Sequence, residues 1–283
     1  MKNNLFYQSI NGEIYHFITA IINMKILMLG DIYGKTGREA VASLIPELKK
    51  VYEPDWIIAN GENVTAGNGL SAKHAKFLRE VGIDIITTGN HIFCRADWPE
   101  VLANHDYILR PHNMLKDGDC GSGCRVFSKK DKPSIAVINL AGRVFMETCS
   151  CPFETFDRLY KTLPPDIPLI VDFHGEATSE KLALFWYING RASIAYGTHT
   201  HVQTSDNRIL PNGGTGVVTD LGMSGAVDGI IGVDRQTVIG RFLTGYSEKF
   251  LCAQGQGKIE GLFAELNGKF PVKLELVRKT TTN

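Results

Sequence analysis

Five apolar runs in this chain end in residue types that can hold metal ions: Asp31, then Glu62 and Asn63, then Asn90 and His91, then His174, and finally His199 and His201. Carboxylate, amide oxygen and imidazole are ligands for hard and borderline metals. The C-terminal ends of parallel strands are where open α/β sheets place their ligands. Taken singly, each position has a plainer explanation. Aspartate or asparagine after a strand is usually turn chemistry, and a strand-end histidine is usually a hydrogen-bonded surface group. Five ends finishing alike, on what reads as one edge of one sheet, are not explained that way. His199 and His201 are two residues apart, so on a strand they share a face, and one could serve each of two adjacent ions. Glu62 arrives between the other ends and is the natural bridging carboxylate.

The elements that must position these groups are legible from period. Lys25 to Leu29, Trp56 to Ala59 and Ile83 to Ile86 are short apolar runs that read as buried strands. Between them, Arg38 to Tyr52 and Ser71 to about Val81 show helical spacing, with Ser71 as N-cap. This β-α-β-α-β order predicts a parallel sheet with helices on its faces. Asp97 is expected to cap a short helix through Leu102. Further strands are expected over 134–140, 167–173 and 192–197, a helix over 179–188 between the last two, and a helix from Asp234 to Leu243. Two short strands should flank Pro211 to Gly214, and residues 258–278 should supply closing strands. The stretch 143–165 is irregular, with a helix around 153–163, and is expected to form a small cap beside the site.

Composition excludes several classes. Of 283 residues, Lys+Arg and Asp+Glu are 30 each, so the net charge is zero and no basic stripe for a nucleic-acid backbone is expected. Hydrophobic residues make up 43%, as in a globular protein with a full core. No apolar run is long enough to span a bilayer. The six cysteines read as reduced thiols of a cytoplasmic protein. The spacings Cys120-x3-Cys124 and Cys149-x-Cys151 are poor matches to a zinc site. Gly30 to Thr36 looks like a phosphate-cradling loop but has three residues between its glycines where that motif has four. His105 and His112 lie outside the strand-end set, while Arg110 is a candidate for the pocket edge. Residues 1–23 carry the apolar patch 17–22 without a signal-peptide pattern. They read as an extension ahead of a domain at 24–283, loosely attached or preceding a natural start at Met24.

The motifs Gly30-Asp31, Gly61-Glu62-Asn63, Gly89-Asn90-His91, His174 and Gly197-Thr198-His199-Thr200-His201 resemble the calcineurin-like metallophosphoesterases. Within them the chain is similar to the bacterial YmdB-like branch of cyclic-nucleotide phosphodiesterases. That branch lacks the usual D-x-H histidine, where this chain has Tyr33, and has Glu-Asn for Asp, here Glu62-Asn63. Asp172 to His174 with Glu176 to Glu180, and Thr219 to Gly225, look like the same branch. The resemblance covers residues 24–278. It implies a four-layer α-β-β-α sandwich and a centre of two metal ions, iron first, with manganese or zinc as alternatives. Asp31, Asn63 and His201 would hold one ion, Asn90, His174 and His199 the other, with Glu62 between them. His91 would be the proton donor.

The function expected is hydrolysis of a small phosphodiester, 2',3'-cyclic nucleotides first and 3',5'-cyclic nucleotides second. Two ions about 3.5–4 Å apart ready a bridging hydroxide for in-line attack at phosphorus and grip the phosphoryl oxygens. His91 would protonate the leaving oxygen near neutral pH. The alternatives are a phosphomonoesterase or nuclease on the same centre, and a non-enzymatic metal-binding regulator. A homo-oligomer is compatible with the sequence; membrane and extended nucleic-acid partners are not expected.

Overall fold

The computed structural model describes residues 6–10, 13–17, 23–114, 120–246 and 249–282. Strands β1 (Phe6–Ile10) and β2 (Glu13–Phe17) pair antiparallel as a sheet of their own. Residues 18–22 of the N-terminal apolar patch lie outside the described residues. Then come β3 (Asn23–Leu29), β4 (Asp31–Ile32), α1 (Gly34–Tyr52), β5 (Trp56–Asn60), α2 (Ala72–Val81) and β6 (Ile85–Thr87), the order expected except for the added short strand β4. The middle of the chain supplies α3 (Trp98–Asn104), β7 (Cys124–Lys129), β8 (Lys132–Ala141), α4 (Pro152–Tyr160), β9 (Leu169–His174), α5 (Thr178–Tyr187) and β10 (Ile194–Thr198). It closes with β11 (Arg208–Ile209), β12 (Gly216–Val218), β13 (Met223–Ala226), α6 (Arg235–Thr244), β14 (Gly257–Asn267) and β15 (Phe270–Thr280).

These strands form two large sheets rather than the single one read from strand spacing. One runs β4-β13-β14-β3-β5-β6, with β15 also paired to β14; the other runs β11-β12-β10-β9-β8-β7. Strands β3, β5 and β6 are parallel, as are β8, β9, β10 and β12. Strand alternation divides each buried strand between two cores. Met24, Ile26 and Met28 of β3 pack in one cluster with Ile135 and Val137 of β8 and Ile170 of β9. Leu27 and Leu29 of β3 pack with Val41, Ile45 and Leu78 of α1 and α2. On the second sheet, Ile138, Val171 and Phe173 pack with Phe156 of α4 and Leu184 of α5. Both faces of these strands are covered, which is why they read as unbroken apolar runs. Each fully buried Leu or Ile contributes about 1.5–3 kcal/mol.

Several local expectations change. Helix α1 starts at Gly34, four residues early, so the Gly34–Gly37 stretch is its first turn and not a phosphate loop. A Cβ at Gly30 or Gly37 would overlap the carbonyl oxygen of Gly222 or Ser224, so these glycines let β13 approach. Lys35 is on the surface beside Glu39. Ser71 caps α2 as expected, its Oγ accepting from His74 N at 3.4 Å. Asp97 precedes α3 but makes no cap bond; its carboxylate takes the Arg95 guanidinium instead. Helix α4 is no cap, because Phe156 and Leu159 join the core. The loop before it does reach the site, through Glu147. Arg110 is 1% exposed and donates to the carbonyls of Cys120, Pro111 and His112, so it serves the backbone and not a pocket edge. All six cysteines are free, and no cysteine joins a metal-type cluster among the described residues.

Candidate metal centre

The two sheets bring the C-terminal ends of their parallel strands together. Asp31 follows β3, Glu62 and Asn63 follow β5, and Asn90 and His91 follow β6 in a short 3-10 turn. From the other sheet, His174 ends β9, and His199 and His201 follow β10. Glu62 lies at the middle and is fully buried. Its Oε1 is 3.3 Å from His174 Nε2 and 3.2 Å from His91 Nδ1, and its Oε2 accepts His91 N at 3.0 Å. Glu62, His174 and His199 offer ligand atoms within 4.8 Å of one another. His201 Nε2 faces Asn63 Nδ2 at 3.2 Å and Asp31 Oδ1 at 3.7 Å. Asn90 stands apart: its amide nitrogen reaches Glu147 at 3.4 Å, and among the described residues no side-chain hydrogen bond ties it to the other seven.

His199 and His201 are not on a strand, so the two-residue alternation does not place them. β10 ends at Thr198, and both histidines have left-handed backbones, with φ of 103° and 63°. Such conformations are costly for non-glycine residues and persist where surrounding structure over-determines them. Here that structure is Asp220. Its Oδ2 accepts from Thr200 N at 3.2 Å, Thr200 Oγ at 2.8 Å and Lys181 Nζ at 2.8 Å. Asp31 Oδ2 accepts His199 N at 3.1 Å.

The histidines are tied in a common way. His201 Nδ1 is 2.7 Å from the Ile231 carbonyl oxygen, which can only accept, so this nitrogen carries the proton. His199 Nε2 is 3.2 Å from the Glu176 carboxylate. His174 Nδ1 is 2.9 Å from Thr198 Oγ, whose own hydroxyl donates to Asp172 Oδ1 at 2.8 Å, so Nδ1 is again the donor. In each ring the outer nitrogen is tied to a partner that fixes the ring's orientation, and the inner nitrogen faces Glu62, Asp31 or a neighbouring histidine, where it can serve a metal ion. This is how metal-binding histidines are oriented by their outer partners. Asn60 adds to the frame: its Oδ1 accepts Glu62 N at 3.1 Å.

Charge and unsatisfied atoms agree with a cation in this place. Burial works against a proton on His174, but Glu62 and Asp31 raise its pKa to about 9. Burial and the nearby His174 push His199 down to about 4. Burial raises Asp172 to about 7. Asp31 Oδ1 and Asn90 Oδ1 are buried with no hydrogen-bond partner. An orphaned acceptor of this kind needs an explanation, and a bound ion supplies one. The donor set therefore fits a metal centre of oxygen and nitrogen ligands.

His91 differs from the other three. Its Nδ1 is 2.7 Å from Asn63 Oδ1 and 3.2 Å from Glu62 Oε1, so a proton, not a lone pair, points into the cluster. Burial opposes its charge, yet the Glu62 carboxylate raises its pKa. Glu62, His91, His199 and His201 line a cavity of about 590 Å³, together with Tyr33, Asn68, Glu176, Ile231 and Phe250. That size suits a small-molecule substrate.

Residues 27–275 match the model of a family described as YmdB-like protein. The chain belongs to the YmdB-like family. The resemblance read from its motifs is borne out. A 2',3'-cyclic-nucleotide 2'-phosphodiesterase of Bacillus subtilis (strain 168) is 43% identical over 257 residues, covering 90% of this chain and 96% of that relative. A crystal structure of a hypothetical protein from Thermus thermophilus is similar with a TM-score of 0.85 at 36% identity, covering 92% of this chain and 100% of that one. A Mycoplasma pneumoniae protein titled a novel phosphatase has a TM-score of 0.86 at 35% identity, with 92% and 94% covered.

Sequence reasoning did not single out Asn60, Asp172, Glu176, Lys181, Asp220 or Ile231 as parts of this YmdB-like site. The only signal was indirect, since Asp172, Glu176 and Asp220 fall within motif stretches. Lys181 and Asp220 form an ion pair with both side chains 1% exposed. Asp220→Ala leaves the lysine buried without its partner, which typically costs about 3–5 kcal/mol. Urea unfolding should show that loss; a change within about 0.5 kcal/mol would mean that the pair does not hold this loop.

Proposed function

We propose that this chain is a two-metal phosphodiesterase that hydrolyses cyclic nucleotides, with 2',3'-cyclic nucleotides as the first substrate class and 3',5'-cyclic nucleotides as the second. Its family makes it a metal-dependent phosphoric diester hydrolase. The observation that carries the reading is the set of three histidines whose inner nitrogens converge on Glu62 and Asp31 while their outer nitrogens are tied elsewhere. The proposed domain is residues 24–283, built as a four-layer α-β-β-α sandwich. The three core clusters, one between the sheets and one under each helical layer, support it.

Asp31, Asn63 and His201 would hold one ion, and Asn90, His174 and His199 the other, with Glu62 available to both. The orphaned oxygens of Asp31 and Asn90 support that assignment. Iron is the first choice, with manganese and zinc as alternatives. When bound, such a pair supplies an activated water and positive charge against the phosphoryl oxygens. His91 donates a proton to the leaving oxygen from Nε2, while Nδ1 stays bonded to Asn63 and Glu62. Asn63 and Glu62 thus keep the imidazole at the cavity wall in one orientation. The six free thiols support a reducing, cytoplasmic setting. No helix among the described residues is long and apolar enough to cross a membrane.

Stripping metal with a chelator should reduce hydrolysis of 2',3'-cyclic AMP and of bis(p-nitrophenyl) phosphate to background. Adding iron(II), manganese(II) or zinc(II) should restore it. Metal-loaded protein that cleaves no diester under any of the three would overturn the proposal. Faster turnover of p-nitrophenyl phosphate than of either diester would favour a phosphomonoesterase.

A further inference from the structure

The cavity over the donor cluster is larger than a cyclic phosphate needs, and Ile231, Val233 and Phe250 give part of its remaining wall an apolar surface. That wall is built by two segments. One is the turn Ile230 to Val233, closed by Ile230 N to Val233 O at 2.8 Å and Val233 N to Ile230 O at 2.9 Å. The other carries Lys249 and Phe250 and is tied to the turn by Asp234 N to Leu251 O at 2.8 Å and Ala253 N to Gly232 O at 2.9 Å. Tyr33 backs the turn, with its ring against Gly232, and meets the His201 ring edge-on at 5.6 Å between centroids.

Two features distinguish this wall from an ordinary exposed apolar spot, which by itself means little. Ile231 has φ of 47°, a left-handed conformation that a β-branched residue rarely adopts. Its carbonyl oxygen accepts from His201 Nδ1 at 2.7 Å, while its side chain is 51% exposed and lines the cavity. The same strained residue therefore orients a donor histidine and presents an apolar surface beside it. Phe250 lines the cavity with 43% of its surface exposed, and the Arg241 guanidinium lies over its ring, 5.3 Å from the centroid. A cation in that position steadies the ring.

We infer that Phe250, with Ile231 and Val233, forms a subsite on which the nucleobase of the substrate stacks. This rests on the phosphodiesterase reading of the centre. The phosphate of a cyclic nucleotide is held at the donor cluster, and the base is the flat, largely apolar group left over. An aromatic ring beside aliphatic side chains is the surface that takes such a group, and stacking of this kind tolerates every base because each has a π-face. Thr200 Oγ is already committed to Asp220, while Lys249 and Asn68 also line the cavity. Because stacking tolerates every base, purine and pyrimidine substrates should differ by less than about tenfold, within the strength of one stacking contact.

The test compares 2',3'-cyclic AMP with glycerol 1,2-cyclic phosphate, which has the same ester and no base, on metal-loaded full-length protein. Phe250→Ala should raise KM for 2',3'-cyclic AMP by roughly 5- to 100-fold, the range of a single base-aromatic contact. It should leave kcat/KM for the glycerol ester within about twofold, and Phe250→Tyr should restore nucleotide binding, since it keeps the ring. Equal losses on both substrates, or no change on either, would overturn the subsite. So would wild-type protein that binds the two esters equally well, with the phosphodiesterase reading left standing. Wild-type protein that cleaves neither ester, nor bis(p-nitrophenyl) phosphate, with iron, manganese or zinc would instead overturn that reading, and the subsite with it; cleavage of bis(p-nitrophenyl) phosphate alone would overturn the subsite only.

Discussion

Replacing His91 with alanine should lower turnover by about 10²–10⁴-fold, the usual range for loss of a positioned general acid, while the protein keeps its metal. The geometry separates the two properties. Glu62 Oε2 accepts from the backbone nitrogen of residue 91, which alanine retains, so the shared carboxylate keeps one of its anchors. Glu62 Oε1 keeps the amide of Asn63 at 3.0 Å. The imidazole removed was not offering a lone pair to the cluster, because its Nδ1 faces two oxygen acceptors. Metal analysis together with steady-state kinetics decides the matter. A variant that loses its metal along with its activity would make His91 a ligand and leave the proton donor unassigned. A substrate with a good leaving group, such as a p-nitrophenyl ester, should suffer less, since its leaving oxygen needs little protonation.

Gly89→Ala is the second large effect, and its cause is space. Gly89 has φ of −135° and ψ of −153°, an extended conformation open to any residue. A Cβ there would nonetheless overlap His174 Nε2 and Glu62 Oε2. These belong to the central carboxylate and its nearest histidine, on two different sheets. Neither can retreat: Glu62 and His174 are both fully buried, and His174 is held by Thr198 from behind. The methyl group would occupy the place where a metal ligand points. We expect metal content to fall from the proposed two ions per chain to one or none, and diester hydrolysis to fall to background, with circular dichroism near wild type. Two ions retained with full activity would show that the backbone after β6 yields, and that the site is less tightly built than these contacts imply.

The strand order of the first half of the chain was legible because each buried strand is a continuous apolar run and each helix keeps its own period. Those are local properties. Strand β13 was missed because Met-Ser-Gly-Ala has no strand pattern, and it is made a strand by pairing with Asp31 and Ile32 far away in sequence. Strand β7 was missed in an edge position where exposed and half-buried residues mix. The N-cap at Ser71 was read correctly and the one at Asp97 was not, because Arg95 competes for that carboxylate.

The sequence by itself determined which residue types stand at the strand ends, and with them the family and the metal-type donor set. That follows from chemistry carried by single residues after recognisable runs. Only the tertiary structure decided how the donors meet. Asp31, Glu62, Asn63, Asn90 and His91 come from one sheet and His174, His199 and His201 from the other, so the centre lies where two sheet ends face each other. It also decided which nitrogen of each histidine faces the cluster. Thr198, Glu176 and the Ile231 carbonyl make that choice, and the last lies 30 residues from the histidine it turns. Donor identity is written residue by residue along the chain, whereas ring orientation is set by partners that only folding brings within hydrogen-bond reach.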